Sequence, residues 1–464
     1  MTKANIAAVI LAAGKGTRMK SDLPKVMHPL AGRPMIRHLL ATVGALGPAR
    51  TVVVIGPGME RVAEAVAPHP TVIQAEQRGT GDAVRAAQPL LEGFAGDVLV
   101  LYGDTPLITL ATLECLLEAR RQPPQPSVVV LGFRPADPGE YGRLVTSADG
   151  SLEAIVEYRD ARPEERALAL CNSGVMAIDG ARLPSLLDHL DNRNAKGEYY
   201  LTDIVALARR ADEPCAYVEA PEAELLGINS RAELAAAEAV VQQGLRVRAM
   251  AGGATLTAPE TVWLCHDTRL GRDVIIGPNV VFGLGVEVAD RVEIRAFCHI
   301  EGARIAEGAI IGPFARLRPG TELGRDVHIG NFVEVKNATV EAGAKANHLT
   351  YLGDARVGAG ANIGAGTVTC NYDGFSKYHT EIGKGAFIGT HSSLIAPVKV
   401  GDDAYVSTGS VITRDVPEGA LAIARARQEE RLGWVEKFRS RKRAEKAAKA
   451  SAGNAPAPQT KSGG

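Results

Sequence analysis

The sequence predicts two dissimilar halves: a doubly wound α/β domain, then a parallel β-solenoid. Three observations predict it. Aliphatic or aromatic residues recur every sixth position through the second half: Leu264, Leu270, Ile276, Phe282, Val288, Ile294 and Ile300. The same spacing returns at Ile311, Leu317, Leu323, Ile329 and Val335, and again at Ile382, Ile388, Leu394, Val400, Val406 and Ile412. The first half instead alternates apolar strands, at residues 6–11, 51–55 and 98–102, with helical stretches. Between the halves lies one long Ala-rich stretch with a clear start and stop.

A period of six is too short for a helical hairpin. It suits one short strand and one turn, with the aliphatic residue inward and glycine or Asn taking the positive φ of the turn. Such units stack as a column, each coil adding a rung of about 4.8 Å. A β-sandwich would space its turns every eight to twelve residues or so. The phase slips by one residue between Ile300 and Ile305 and breaks between Ile363 and Ile382, around Asn371-Tyr372-Asp373-Gly374. Breaks of this kind are where loops leave a column, and loops carry function.

Composition narrows the class. A chain of 464 residues holds two or three domains, and a hydrophobic content of 46% supplies large cores. Net charge is −1, which gives no argument for nucleic acid, and no apolar run is long enough for membrane insertion. The N-terminus lacks a cleavable-signal pattern. The six cysteines are scattered without a CxxC pair, so the expected location is the cytoplasm, with thiols reduced.

In the first half, the strand 6–11 runs directly into Ala12-Ala13-Gly14-Lys15-Gly16-Thr17-Arg18-Met19. Small residues there let backbone N–H groups approach an anion, and Lys15 and Arg18 add charge. The loop is neither a GxxxxGK[ST] loop nor GxGxxG, since Met19 stands where the last glycine would be. Asp104 follows the strand 98–102, at the end of a parallel strand where ligands bind. A carboxylate there suits Mg²⁺ beside a triphosphate, but taken alone Asp104 caps the next helix as readily. Ser230-Arg231-Ala232-Glu233 is a capping box, and Gly252-Gly253 ends the helix it opens. About twenty residues make a spacer of about 30 Å.

These motifs form a set. The Leu11–Met19 loop, Ser21-Asp22-Leu23-Pro24-Lys25, Gln74-Ala75-Glu76-Gln77 with Gly79-Thr80-Gly81, and Tyr102-Gly103-Asp104 together resemble the sugar-nucleotide pyrophosphorylases. Tyr141-Gly142-Arg143, Ile155-Val156-Glu157, Asn172-Ser173-Gly174, Glu198 through Thr202-Asp203, and Gly227-Ile228-Asn229 continue the likeness. Joined to a hexapeptide solenoid, the whole from about Ile6 to Trp434 resembles the bacterial family of bifunctional N-acetylglucosamine-1-phosphate uridylyltransferases and glucosamine-1-phosphate N-acetyltransferases.

The resemblance implies a Rossmann-like nucleotidyltransferase domain at 1–229, a linker helix at 230–251, a left-handed parallel β-helix at 252–437, and a basic, partly disordered tail at 438–464. It implies Mg²⁺ as cofactor, UTP and acetyl-CoA as co-substrates, sugar phosphates as acceptors, and a homotrimer. For uridylyl transfer it implies that Leu11, Ala12, Ala13, Gln74, Gly79 and Thr80 hold the nucleoside. Gly14, Arg18 and Lys25 would face the triphosphate, Arg18 and Lys25 as catalytic cations, and Asp104 and Asn229 would take the metal. Tyr102, Gly103, Gly142, Glu157, Asn172 and Thr202 would line the sugar side. Lys25 taken alone is also an ordinary solvated lysine.

For acetyl transfer the resemblance implies His348 as general base, with Glu334 a candidate to orient it. Imidazole titrates in the range that amine acetylation needs. Arg318 and Lys336 would hold the sugar phosphate, and Tyr351 and Asn362 would complete the acceptor pocket. Ala365, Asn371, Tyr372, Thr390, Thr408 and Arg425 fall at the acetyl-CoA positions. Thr390 and Thr408 depart from the Ser and Ala often found there, at contacts made largely through backbone. The basic run from Glu436 to Lys449 reads as a solvated helix end, and the Ala/Pro/Gly/Ser-rich end from Ser451 reads as disordered. Two other readings stay open: a single-activity nucleotidyltransferase on an inert oligomerising column, and a non-enzymatic scaffold.

Overall fold

The computed structural model describes residues 5–452. The first half is built on a nine-stranded sheet. Its strands are β1 (Ile6–Leu11), β4 (Arg50–Ile55), β5 (Thr71–Ile73), β6 (Asp97–Tyr102), β7 (Val128–Phe133), β10 (Cys171–Asp179) and β11 (Cys215–Glu219), with a β8 (Arg143–Thr146) and β9 (Leu152–Val156) hairpin beside β10. The order is β11-β7-β10-β6-β1-β4-β5. All neighbours on that path are parallel except β10, which runs antiparallel to β6 and β7. β1 is buried along its whole length because helices cover both faces, which is why it reads as an unbroken apolar run.

A two-strand ribbon, β2 (Pro29–Leu30) and β3 (Arg33–Pro34), precedes helix α1 (Met35–Ala45). Helix α2 (Thr80–Leu91) follows the turn at Gly79. Helix α3 (Arg231–Ala251) has the expected capping box, with Ser230 accepting from the Glu233 N–H and Glu233 reaching back to the Ser230 N–H at 2.9 Å. Its role differs from that of a free spacer. Leu245 joins the core of the column. The Gln242 amide, 2% exposed, both donates to the Leu264 carbonyl (2.7 Å) and accepts from the Leu264 N–H (2.9 Å). The helix therefore covers the open first coil, an end that a solenoid cannot leave bare. The β2–β3 ribbon wedges alongside: Ala31 N–H donates to Glu238 at 2.8 Å, and His266 N–H donates to the Ala31 carbonyl at 2.9 Å.

From Thr255 to Ala422 the chain winds as a column of three flat faces. One face is a ten-stranded parallel ladder; the other two make a single fourteen-stranded sheet. The sixth-position residues point inward and are buried, apart from the half-buried Leu270 in the first coil. Each buried Ile, Leu or Val removes apolar surface worth about 1.5–3 kcal/mol.

Three rows of left-handed residues mark the corners. Gly, Asp and Asn dominate two of them, as in Gly285, Gly302, Gly320, Asn337 and Asp354. The third begins with Asn279 but then departs at most rungs from the expected glycine or Asn. It carries Phe297, Phe314, Phe332, Leu349, Gly366, His391 and Gly409, all with φ between 50° and 73°. A left-handed non-glycine residue costs about 1–2 kcal/mol. Stacking of Phe297 on Phe314 (4.8 Å) and of Phe314 on Phe332 (5.1 Å) offsets part of it, since such pairs contribute about 0.5–1.5 kcal/mol.

The widest break in the hexad pattern is an extruded loop between strands Val368–Cys370 and Thr380–Ile382. Helix α4 (Trp434–Ala452) carries the basic tail and is exposed as far as its side chains are described. The disorder expected from Ser451 does not begin there, since Ser451 and Ala452 continue α4; the rest of that expectation, from 453 onward, lies outside the described residues. Among those described, no helix is long and apolar enough to cross a membrane, and all six cysteines are free thiols.

Candidate functional sites

Lys25, Asp104 and Asn229 are far apart in sequence and meet in space. Lys25 Nζ donates to an Asp104 carboxylate oxygen and, at 3.0 Å, to Asn229 Oδ1. Each is placed by a different element. Lys25 stands on a short 3₁₀ turn after Pro24, and Asp104 lies just beyond β6. Asn229 precedes the α3 N-cap, where Ile228 N–H is tied to the Asp104 carbonyl at 2.9 Å. Gly16 explains the approach of the loop. Its φ is 61°, and a Cβ there would come within 2.6 Å of Lys25 Cβ.

Lys25 and Asp104 floor a cavity of about 330 Å³ lined also by Leu11, Ala12, Ala13, Gly14, Gln74, Gly79, Thr80 and Tyr102, with Asn229 behind Lys25. Gln74, 5% exposed, is locked by its amide donating to the Gly79 carbonyl (2.9 Å) and to Asp82 (3.0 Å). Sequence reasoning missed four wall residues, the apolar Val26 and Ala83 and the polar Gln77 and Glu198, the last two inside quoted motifs. Gln77 Nε2 donates to the Ala13 carbonyl at 2.6 Å and so pins the glycine loop. Arg18 is not brought into the wall. It lies exposed on the 3₁₀ turn Thr17–Met19, with no side-chain partner among the described residues.

The sugar-side candidates gather next to Tyr102. Gly174 (φ 87°) packs so closely that a Cβ would sit 2.6 Å from the Tyr102 ring. Asn172 holds that turn, accepting from Gly174 N–H at 2.9 Å, while its own N–H donates to the Gly142 carbonyl at 2.8 Å. Thr202 Oγ1 donates to Glu157 at 3.4 Å. Burial pushes the Glu157 carboxyl up, against the lowering by Lys196 and Thr202. Burial also pushes the Tyr102 hydroxyl well up, with Glu157 and Asp104 adding to it. Gly103 N–H is tied to the Leu11 carbonyl at 2.9 Å, which joins the two strand ends beneath the cavity.

A divalent cation fits this floor. Asp104 and Asn229 present two hard oxygens to one point, and that point already holds a positive charge, the Lys25 ammonium. Carboxylate and amide oxygens suit Mg²⁺, which takes few protein ligands and fills its shell with phosphate and water. No cluster of three or more His, Cys, Asp or Glu exists among the described residues to compete for it.

The second site lies along one edge of the column. His348 ends a strand at the row of left-handed residues, and its rung partner is Asn331. His348 Nδ1 lies 2.8 Å from Asn331 Oδ1. An amide oxygen accepts, so Nδ1 carries the proton and Nε2 keeps its lone pair. Glu334 does not orient His348. Its carboxylate pairs with Arg318 at 2.9 Å and with Arg316 at 3.6 Å.

Beyond His348 the same edge carries Ala365, Thr390 and Thr408 on successive rungs, tied by Gly366 N–H to the His348 carbonyl, His391 N–H to that of Ala365, and Gly409 N–H to that of Thr390. Three rungs span about 14 Å. Arg425 flanks the end of the row, with Cδ about 4.0 Å from the Cβ position of Gly409.

Around the corner lie the cations. Arg318 and Lys336 sit on neighbouring rungs. Lys377, unnoticed in the sequence, folds back from the extruded loop against Lys336. Its contact and charge hold the Lys336 ammonium below the usual lysine range, with smaller contributions from desolvation and Arg318. Asp354 anchors the loop by accepting from Asn371 and, at 2.6 Å, from Asn337. Burial alone would raise its carboxyl, but those hydrogen bonds, with Lys336 and Lys377, hold it below the usual range. Tyr372 donates to the Gly374 carbonyl at 2.6 Å and stays within the loop. Tyr351 is a rung above Glu334, and Asn362 a rung above Lys345 on the adjoining face. All these groups therefore surround a convex edge, which no single column encloses.

Comparison with known families matches both halves. Residues 8–175 match a MobA-like NTP transferase domain, and 302–337 and 379–414 match bacterial transferase hexapeptide repeats. The chain is 65% identical over 449 residues to a protein of Paramagnetospirillum magneticum named Bifunctional protein GlmU, covering 97% of this chain and all of that one. Proteins of the same name from Rhodospirillum rubrum and Sphingopyxis alaskensis are 66% and 56% identical, each over 96% of this chain and 99% and 98% of theirs.

Proposed function

The chain belongs to the family of bifunctional GlmU proteins, and on that premise we propose how its two sites divide the work. It is a transferase with two activities: acetyl transfer from acetyl-CoA to glucosamine-1-phosphate, and uridylyl transfer from UTP to N-acetylglucosamine-1-phosphate with release of pyrophosphate. The product, UDP-N-acetylglucosamine, feeds envelope polysaccharide synthesis. The column is the left-handed parallel β-helix of hexapeptide transferases. What carries the second activity is the pair of features at this corner: an inert oligomerising column has no use for an imidazole held at 2.8 Å on one face and three neighbouring cations around the corner from it.

In the nucleotidyl site, Leu11, Ala12, Ala13, Gln74, Gly79 and Thr80 take the uracil and ribose, and Gly14 and Lys25 face the triphosphate. Arg18 reaches it only by swinging in from solvent. Gly142, Glu157, Asn172 and Thr202, with Tyr102 and Gly103, take the sugar. A phosphate oxygen of the acceptor attacks the α-phosphorus in line and pyrophosphate leaves, so positioning and cations supply most of the rate. Mg²⁺ held by Asp104 and Asn229 would neutralise phosphate charge there.

In the acetyl site, Arg318, Lys336 and Lys377 hold the sugar phosphate, and Tyr351 and Asn362 border the sugar. The amine attacks the thioester carbonyl; a C–N bond forms, the C–S bond breaks, and His348 Nε2 takes the amine proton. Coenzyme lies along Ala365, Thr390, Thr408 and Arg425, with Asn371 and Tyr372 on the loop beside it. Asn331 fixes the tautomer. Asn331→Leu is expected to lower acetyl-transfer kcat about 10- to 100-fold with KM little changed, the range for a lost orienting partner. Asn331→Asp places a negative charge at Nδ1 and raises the imidazole pKa. More of the base is then protonated at a given pH, so the acid limb of the kcat/KM profile moves to higher pH. An unmoved limb together with full kcat in Asn331→Leu would remove Asn331 from this role.

A convex edge needs a second surface to make a pocket. The exposed Phe297–Phe314–Phe332 stack continues down the edge occupied by His348, which supports a neighbouring column docking there. The assembly we propose is a homotrimer with acetyl sites shared between columns. Light scattering is expected to give three chains for wild type and a smaller species for Phe332→Glu, with acetyl transfer lost in step; a monomeric wild type with full acetyl turnover would rule this out. The free thiols favour a cytoplasmic setting. Both reactions are to be assayed on one preparation: acetyl-CoA consumption with glucosamine-1-phosphate, and pyrophosphate release from UTP with N-acetylglucosamine-1-phosphate. Absence of either would leave a single-activity enzyme.

A further inference from the structure

We propose that the cavity between β3, α1, α3 and the first coil of the column is a second anion site, one that takes a small polyphosphate or a phosphate-bearing metabolite of nucleotide size. The cavity holds about 800 Å³ and shares no lining residue with the nucleotidyl pocket. That volume is in the range of small-molecule sites, about 300–1,000 Å³.

Its lining contains Arg33, Arg248, His38 and His266 and not one carboxylate. The nearby Glu238 is already engaged, accepting from Ala31 N–H at 2.8 Å and from the Gln242 amide at 2.8 Å. Arg33 is half-buried, and among the described residues neither its guanidinium nor that of Arg248 has a hydrogen bond or ion pair. Arg37 adds a further charge close to Arg33; desolvation and this neighbour together hold Arg33 below the usual arginine range.

The two imidazoles are 6.2 Å apart, edge to face. His38 Nε2 is tied to the Leu30 carbonyl at 2.9 Å and His266 Nδ1 to the Ala31 carbonyl at 3.3 Å. One nitrogen of each ring is thereby fixed and the other is without a protein partner among the described residues. Burial, Arg33 and His266 all push the His38 imidazole down, against the Leu30 carbonyl and the Glu238 carboxylate. Holding Arg33 half-buried beside Arg37 is a standing cost, and a polyanion lowers it by pairing with Arg33, with the exposed Arg248 on the far wall as a second partner. Gly244 leaves room, since a Cβ there would meet nothing within 4 Å. The chemistry favours phosphate over carboxylate, because two guanidiniums can donate to several oxygens on adjacent phosphorus centres, and each imidazole, its one neutral-ring proton already given to a carbonyl, adds a further donor only by taking up a second proton.

The probe is inorganic tripolyphosphate, titrated into the full chain by calorimetry and followed by peptide-level hydrogen exchange. Protection is expected over 33–42 and 241–252, separate from any protection of the glycine loop at 12–19. In Arg33→Ala/Arg248→Ala the protection over 33–42 and 241–252 is expected to vanish and the dissociation constant for this cavity to rise at least tenfold, while the loop protection stays. Lys25→Ala is expected to do the converse. Both turnover assays report whether the double variant is folded, and Arg33→Lys/Arg248→Lys is expected to bind within a few-fold of wild type. Wild-type protection confined to 12–19, or protection over 33–42 and 241–252 that survives in the double alanine variant, would overturn the proposal.

Discussion

His348→Ala is expected to lower acetyl-transfer kcat by about 100- to 10,000-fold, the usual contribution of a positioned general base, and to leave uridylyl transfer unchanged. The reason lies in what the substitution does and does not touch. His348 is exposed at the edge of the column, so alanine there removes no core contact. The rung hydrogen bonds at that position run through backbone: the His348 carbonyl accepts from Gly366 N–H at 3.3 Å and from Thr350 Oγ1 at 2.8 Å whatever side chain is present. The row of Ala365, Thr390 and Thr408, proposed for the coenzyme, keeps its spacing. KM for acetyl-CoA should therefore change little, and the loss should sit in kcat. Consumption of acetyl-CoA with glucosamine-1-phosphate, wild type beside variant, is the measurement. Equal turnover would mean that another group takes the amine proton, and the edge would then be a binding site without its own base. No turnover in wild type would leave a nucleotidyltransferase on a structural column.

How much of this was legible in the sequence differs from part to part. The column was legible because its physics is local: one inward aliphatic per six residues survives any tertiary context. The extruded loop was legible as a break in that period. The corner row of Phe297, Phe314 and Phe332 was not, since turn chemistry alone argues for glycine or Asn, and only the stack along the axis offsets the backbone cost. Nor was the packing of α3, whose Gln242 and Leu245 read as an ordinary helix interior until the first coil is set against them.

For the sites, spacing did less than resemblance. Lys25 and Asp104 are 79 residues apart, and Lys25 and Asn229 are 204 apart, so no local pattern unites them. The partner of His348 was within reach. One coil is about three hexads, shortened to 17 residues here, and a residue one coil earlier lies directly beneath. Counting back 17 from His348 gives Asn331; Glu334 is three residues off the rung. Lys377 could not be found this way, because its place depends on how an irregular loop folds back onto Lys336.

Asp104→Ala is expected to produce the converse phenotype, with uridylyl-transfer kcat down about 100- to 1,000-fold and acetyl transfer intact. That range is typical for removal of one preorganised electrostatic contact at a reacting centre. Two effects combine. The Asp104 carboxylate and the Asn229 amide oxygen both accept from Lys25 Nζ, so the variant leaves Asn229 alone of this pair to hold a divalent cation. It also frees the Lys25 ammonium from its ion pair, both side chains being largely buried at 14% and 17% exposure. A lysine released in this way swings or stays unpaired, and either outcome displaces it from the triphosphate.

Asp104→Asn separates the two effects. It keeps the shape and an oxygen facing Lys25 but removes the charge. If metal affinity dominates, raising Mg²⁺ should recover much of the asparagine variant and little of the alanine one. Pyrophosphate release from UTP and N-acetylglucosamine-1-phosphate, measured across a Mg²⁺ titration, reads both. The backbone tie from Ile228 N–H to the Asp104 carbonyl at 2.9 Å is independent of the side chain, so the start of α3 and the coil it covers should hold. Acetyl transfer is the internal control for that expectation. A folded Asp104→Ala protein that had lost both activities would show that the two sites are coupled through α3 rather than independent, and one that kept most of its uridylyl turnover would move the metal away from Asp104 altogether.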